Sequence, residues 1–206
     1  MTTSKVDICN LALMRIGHSK RISALSSTAP ASQAEAYCAE FYDYARQEAL
    51  RLAPWSFATA EKTLALLSSY EPTQWTYAYS YPSDCLKARR LLTGAGNDEP
   101  AFSIGYYDGQ KVIKTNQAEA ILEYTIDVDD PSLYDPSFAS VIAWRLAIQL
   151  IGPMARKREL LEIIMDAYRI DLSDAMAQNT NEDGGQRAVD DSDGVAYNAD
   201  WLEARN

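Results

Sequence analysis

The stretch that decides the fold is "EALRLAPWSFATAEKTLALL", residues 48–67. It starts as a good helix and stops at Pro54-Trp55. Proline disfavours the α conformation at the residue before it, so the helix ends at Ala53. Beyond the break the chain carries neither a charge relay nor a phosphate loop. Trp55 and Phe57 are expected to plug a core just past it. The break therefore reads as a joint, where the chain leaves a helical part and enters an extended one.

Upstream of the joint two helices are expected. The first spans residues 4–16, with Ser4 as cap and Asp7 three positions on, close to a capping box. Val6, Cys9, Leu13 and Ile16 keep the spacing of a buried stripe, and Gly17 sits where a left-handed C-terminal cap belongs. The second spans about residues 30–53, with Pro30 in its first turn. Its apolar face is Ala34, Tyr37, Cys38, Phe41, Ala45 and Leu52.

Downstream the period changes to two from Gln74 to Val128. Trp75, Tyr77, Tyr79 and Tyr81 alternate with Thr76, Ala78 and Ser80, and Pro82 closes the strand or marks an edge. Residues 86–92 form a second strand. "FSIGYYDGQKVIKT" is a hairpin turned by Asp108-Gly109. In "AEAILEYTIDV", Leu122, Tyr124, Ile126 and Val128 take one face and Glu123, Thr125 and Asp127 the other. Four or five antiparallel strands are expected.

Helix returns at Asp135-Pro136, an Asp cap with proline in the first position. "SFASVIAWRLAIQLIG" is apolar on nearly every side, so this helix should be central, with Arg145 and Gln149 as its polar line. Gly152-Pro153 ends or kinks it. A fourth helix is expected over residues 154–178, with Leu161, Ile164, Met165, Tyr168, Leu172 and Ala175 inward. After Asn179 the composition becomes that of a solvated segment. The expected fold is α+β: a four-helix bundle (1–57 and 131–180) with an inserted antiparallel β-domain (58–130) and an extended acidic C-terminal arm (181–206).

At 206 residues, 47% apolar, the chain can bury a sizeable core. Its net charge of −10 argues against a free-standing nucleic-acid binder, which usually shows a basic face. Half of that charge lies in residues 181–206. Three cysteines (Cys9, Cys38, Cys85) imply no disulfide framework and a reducing compartment. "MTTSKVDICN" does not read as a signal peptide. No apolar run is expected to reach the roughly 20 residues that cross a bilayer. A soluble, intracellularly synthesised protein without membrane contact is expected.

No reaction motif stands out. His18, the single histidine, follows the Gly17 cap, where a cation near a helix C-terminus is favourable. Metal-ligand spacings are absent, and no cofactor is called for. "TGAGNDEP" (93–100) lacks the lysine of a phosphate loop and reads as a connection. Asp129-Asp130 reads as a linker into helix. "CLKARRLL" places Lys87 and Arg89 on one strand face and Arg90 on the other, a solvated or intersubunit surface more readily than a phosphate patch. The loop between the first two helices is too long for a helix-turn-helix, and its second helix would carry Glu35, Glu40 and Asp43 towards phosphates. The ladder Trp75/Tyr77/Tyr79/Tyr81 is core or protein interface, or alternatively a stacking platform for sugar or nucleic acid. An acid-pair hydrolase is the remaining alternative and needs two convergent carboxylates.

The layout "VDICNLALMRIGH", "AYCAEFYDYARQEALRLAPWSFA", "WTYAYSYPSDCLKARRL" and "LEYTIDVDDPSLYDPSFASVIAWRLAIQLIGPM" resembles the tail tubular protein A family, the head-to-tail adaptors of short-tailed bacteriophages. Its most specific parts are residues 53–57, 81–86 and 138–147. The resemblance implies a homo-oligomeric ring, usually of twelve subunits, in the virion neck between portal protein and tail nozzle protein. It implies no catalytic residue, no cofactor, no metal and only transient, non-specific contact with viral DNA. It also implies a C-terminal segment reaching onto the portal. Ordering such a segment costs roughly 1–2 kcal/mol per residue, so it needs a partner. Val195, Tyr197, Trp201 and Leu202 are the anchors expected there, docking on the portal or a neighbouring subunit, with Asp190, Asp191 and Asp193 near basic partner groups. Trp75, Tyr77, Tyr79, Tyr81, Lys87, Arg89 and Arg90 are the candidates for nozzle or intersubunit contact.

Overall fold

The computed structural model describes residues 3–93, 99–155 and 158–182. Helix α1 (Lys5–Arg15) begins with the capping box expected from its sequence. Asp7 N donates to Ser4 Oγ at 3.1 Å, and Ser4 N to the Asp7 carboxylate at 3.2 Å. Gly17 ends it at φ 77°, with its N–H on the Met14 carbonyl and the His18 N–H on that of Leu13.

Helix α2 (Gln33–Leu52) starts later than expected. Pro30 lies ahead of it, because Ser32 is the cap: its Oγ accepts from Glu35 N at 3.2 Å. The end is as read, since Ala53 adopts extended backbone (φ −131°, ψ 160°) before Pro54. Ala34, Cys38, Tyr42, Ala45, Ala49 and Leu50 are buried, whereas Leu52, expected inward, is exposed.

Helix α3 (Pro136–Leu150) has Asp135 in the cap position and proline in the first turn. It runs into a π turn at Ile151–Ala155, where Pro153 cannot donate to the helical ladder. Phe138, Val141, Ile142, Ala143, Leu146, Ala147 and Leu150 are buried, and α1, α2 and α4 all pack on it. One expectation fails here: the segment Pro136–Ala155 is long and apolar enough to cross a membrane. Here it is the central helix, half of it buried against its neighbours. Helix α4 (Arg158–Glu182) starts and ends later than expected. Ile164, Tyr168 and Ala175 face inward as read, but Met165 is exposed.

Six strands form two three-stranded antiparallel sheets, in the orders β1-β6-β3 and β2-β5-β4. They are β1 (Thr59–Thr63), β2 (Tyr77–Ser80), β3 (Cys85–Leu92), β4 (Phe102–Tyr107), β5 (Gln110–Thr115) and β6 (Ile121–Ile126). The chain is thus α+β, with one more strand than expected: β1 follows the joint directly. Its sequence, TAEKT, carries little apolar signal because it is an edge strand with three exposed residues. The β4–β5 turn is as read, with positive φ at Asp108 (47°) and Gly109 (74°). Strand β6 corrects an expectation: Glu123 and Thr125 are buried along with Leu122 and Tyr124, because both faces of the strand are covered.

Two apolar clusters result. The larger joins α1–α4 with Trp55, Ala58, Val128 and Tyr134. The smaller lies among the strands and holds Leu64, Tyr79, Leu91, Ile113, Ala120, Leu122 and Tyr124.

Candidate assembly surfaces

At the joint, Pro54 stops α2, and the freed backbone groups need partners. Arg89 of β3 supplies them: its guanidinium donates to the Ala53 carbonyl at 2.6 Å and to those of Leu50 and Arg51 at 3.3 Å. Its Nε reaches Thr125 Oγ1 at 2.9 Å, so one side chain ties α2 to two strands. Asn179 of α4 closes the other side. Its Oδ1 accepts from Ser56 N (2.9 Å) and Ser56 Oγ (2.8 Å), and its Nδ2 donates to Pro54 O at 3.1 Å. Trp55 Nε1 donates to Ala49 O at 2.9 Å. The Trp55 and Phe57 rings close on Phe138 at 4.8 and 4.9 Å between centroids, and Tyr134 at 5.2 Å completes the plug. Fully burying one such ring contributes about 1.5–3 kcal/mol.

Further charged side chains hold elements together. Arg46, almost wholly buried, bonds Asp127 and donates to Val128 O at 2.8 Å. Asp129 takes Lys5 at 2.6 Å, and Asp130 caps the short 3-10 turn after it. Those two acids are thus a lead-in tied to α1, as read. Arg15 stacks on Trp144 at 3.7 Å and donates to Ser140 O at 2.8 Å; Ser140 Oγ and Trp144 Nε1 both donate to Asp171. Burial lowers the Arg15 guanidinium to about 10, and Asp171 pulls it part of the way back. Arg145 pairs with Glu48 at 2.7 Å and holds that carboxyl below its ordinary range.

The aromatic ladder is divided. Tyr79 is buried and donates to Gln117 O at 2.9 Å. Tyr77 and Tyr81 are half-buried against the smaller core, and Lys111 Nζ lies 3.6 Å from the Tyr81 ring centre. Trp75 is half-exposed, just before β2. The four side chains are not one open platform. The basic strand is divided too. Two bulges displace its register, Arg89 is spent on the joint, and Arg90 pairs with Glu99 (2.7 Å) and Glu123 (3.0 Å). Lys87 is half-buried. The arm candidates Val195, Tyr197, Trp201, Leu202, Asp190, Asp191 and Asp193 lie outside the described residues.

Among the exposed apolar side chains that the sequence reading missed, two pairs each share one element. On α4, Ile163 and Ile170 are each 65% exposed and seven residues apart, hence on one face. On β4, Ile104 and Tyr106 are 46% and 74% exposed. On α4 the signal was an apolar residue opposite the buried stripe, masked by the apolar residues that fill the inward positions. On β4, Ile104 and Tyr106 share the face of buried Ile113 and Tyr79, so alternation alone does not mark them as exposed.

Chemistry is sparse among the described residues. No group of three or more metal-binding side chains converges. An open depression of about 370 Å³ beside β1 is lined by Thr63, Leu64, Leu66, Tyr79, Glu119 and Ile121, with a single carboxylate. His18 Nδ1 lies 2.9 Å from the Lys20 carbonyl, at the end of α1. Cys9 and Cys38 are buried and Cys85 half-buried. No family model and no curated protein matches the chain.

Proposed function

We propose that this chain is a structural virion protein: a head-to-tail adaptor that forms a ring between portal and tail nozzle and lines part of the DNA ejection channel. In this reading the helices make a four-helix bundle, the strands an inserted β-domain and residues 181–206 a binding arm. The ring has about twelve copies, as the resemblance implies. It is not an enzyme and needs no cofactor.

One observation carries the reading. The three stretches that bear the resemblance all occupy architectural positions. Residues 53–57 are the joint. In residues 81–86, Pro82 is buried and its carbonyl takes Cys85 N at 3.1 Å, turning the chain from β2 into β3. Residues 138–147 hold most of the buried side chains of the central helix. Among the described residues, Arg15, Arg46, Arg89, Arg145 and Asn179 are spent on joining elements. The alternative, a sugar- or nucleic-acid-binding module using residues 75–81, has less support because Tyr79 is buried and its hydroxyl is bonded.

The test is assembly. The full chain, mixed with portal rings of its own phage, should join them in mass photometry as a discrete ring-sized mass increment. A chain ending at Glu182 retains every described element and should stay folded but lose that increment. Absence of any joining by the full chain would overturn the proposal.

A further inference from the structure

The two sheets present four strand edges. The β1 edge carries exposed Glu61 and Lys62, a charged pair that discourages further pairing. The β3 edge is broken by two bulges, and its Leu86 carbonyl accepts from Arg51. The β2 edge is covered by residues 65–67: Leu67 N donates to Ala78 O and Ser80 N to Ala65 O, both at 2.9 Å. The β4 edge remains.

The hairpin register settles which groups β4 turns outward. Tyr81 N donates to Lys111 O at 3.3 Å, so the backbone groups of Lys111, Ile113 and Thr115 face β2. Those of Gln110, Val112 and Lys114 face β4, where Tyr107, Gly105 and Ser103 are their partners. The N–H and C=O of Ile104 and Tyr106 therefore point away from the sheet, and among the described residues they meet no backbone partner. The side chains of the same two residues are exposed, on the face shared with Ile113 and Tyr79. Among the described residues the edge lacks both hydrogen bonds and apolar cover, the complement of one more strand.

The chain contains a segment of that pattern. Val195, Tyr197, Ala199 and Trp201 alternate with Ala196, Asn198 and Asp200. It lies beyond α4, whose end Asn179 pins at the junction of helices and sheets. The 12 residues between Glu182 and Val195 can span up to about 40 Å. They carry Asp183, Asp190, Asp191 and Asp193 against Arg187, and exposed Lys111 lies opposite Tyr106 on the receiving sheet. We infer that residues 195–201 of a neighbouring copy add to the β4 edge as a fourth strand of β2-β5-β4. Tyr197 and Trp201 then cover Ile104 and Tyr106. The inference rests on the ring reading above and gives its arm a docking site on the next subunit.

The test uses the full chain with paired cysteines: Tyr106→Cys or Ile104→Cys, each combined with Tyr197→Cys or Ala199→Cys. Close cross-strand pairs suit a disulfide. Under mild oxidation at least one combination should give covalent ladders beyond the dimer, which a single added cysteine does not. Ile104→Pro removes an outward N–H and leaves the β4–β5 bonds intact, so it should abolish the ladder. Val195→Lys, within the inferred added strand, should do the same. Intrachain product alone, no ladder from any pair, or a ladder unaffected by Val195→Lys overturns the inference. Portal joining by the unoxidised variants is scored separately. Joining without laddering defeats strand addition alone; laddering without joining defeats the adaptor reading alone.

Discussion

Asn179 is buried near the end of α4, and its single amide satisfies two donors and one acceptor at the Pro54–Ser56 break. Removing it leaves those groups without partners in a place water reaches poorly. Asn179→Ala should therefore destabilise the protein by about 1–3 kcal/mol, read as a lower urea midpoint at unchanged slope. An exposed substitution at the preceding residue, Gln178→Ala, should leave the midpoint almost unmoved. Nothing local marked this residue. In the sequence it stands where the helical pattern gives way to acidic tail, and its partners are 123 and 125 positions away. Glu35 misled in the same manner. It reads only as a charge that a helix-turn-helix would turn towards phosphates, yet it is buried and accepts from Ser26 N and Ala31 N, both at 3.0 Å. Short-range devices were legible because their partners lie within three residues, as with Ser4 and Asp7. Long-range hydrogen bonds leave no periodic trace.

At the scale of elements, the Pro-Trp joint was readable, but what holds it was not. Proline's effect on the preceding residue is intrinsic to the chain, whereas the capping by Arg89 depends on β3 lying beside the end of α2. The plug is the sharpest point of this construction, since Trp55 touches α2 through Ala49 and α3 through Phe138. Trp55→Ala should cost about 3–5 kcal/mol and lower the thermal midpoint of helices and strands together in circular dichroism and tyrosine fluorescence. If the strands kept a separate transition at the wild-type temperature, the joint would not couple the two cores. Strand β1 went unread because TAEKT obtains its place from pairing with β6, in the register Thr59 to Thr125, rather than from its own pattern. The extra burial of Glu123 has the same origin, with Arg90 covering the face that alternation assigned to solvent. The arm candidates were a reading of composition, and no described element bears on them.

At the scale of the whole molecule, charge is the property that was legible from the start and that the fold does not undo. The chain carries −10, and of its cations Arg46, Arg89, Arg90, Arg145 and Arg15 are engaged with carboxylates or carbonyls of the chain itself. A ring of about twelve copies would carry roughly −120 formal charges, screened beyond about 8–10 Å at physiological salt. A polyanion threading a narrow bore stays within that distance of the wall, so the repulsion acts where sticking would otherwise stall passage. Non-specific DNA binding comes from phosphate neutralisation by lysine and arginine and strengthens steeply as salt falls, so about 50 mM salt is a demanding condition. The full chain should give no mobility shift of duplex DNA even there, alone or joined to portal rings. Retention that weakens with added salt would mean that a basic patch outweighs the acidic balance. The nucleic-acid-binding alternative would then displace the conduit.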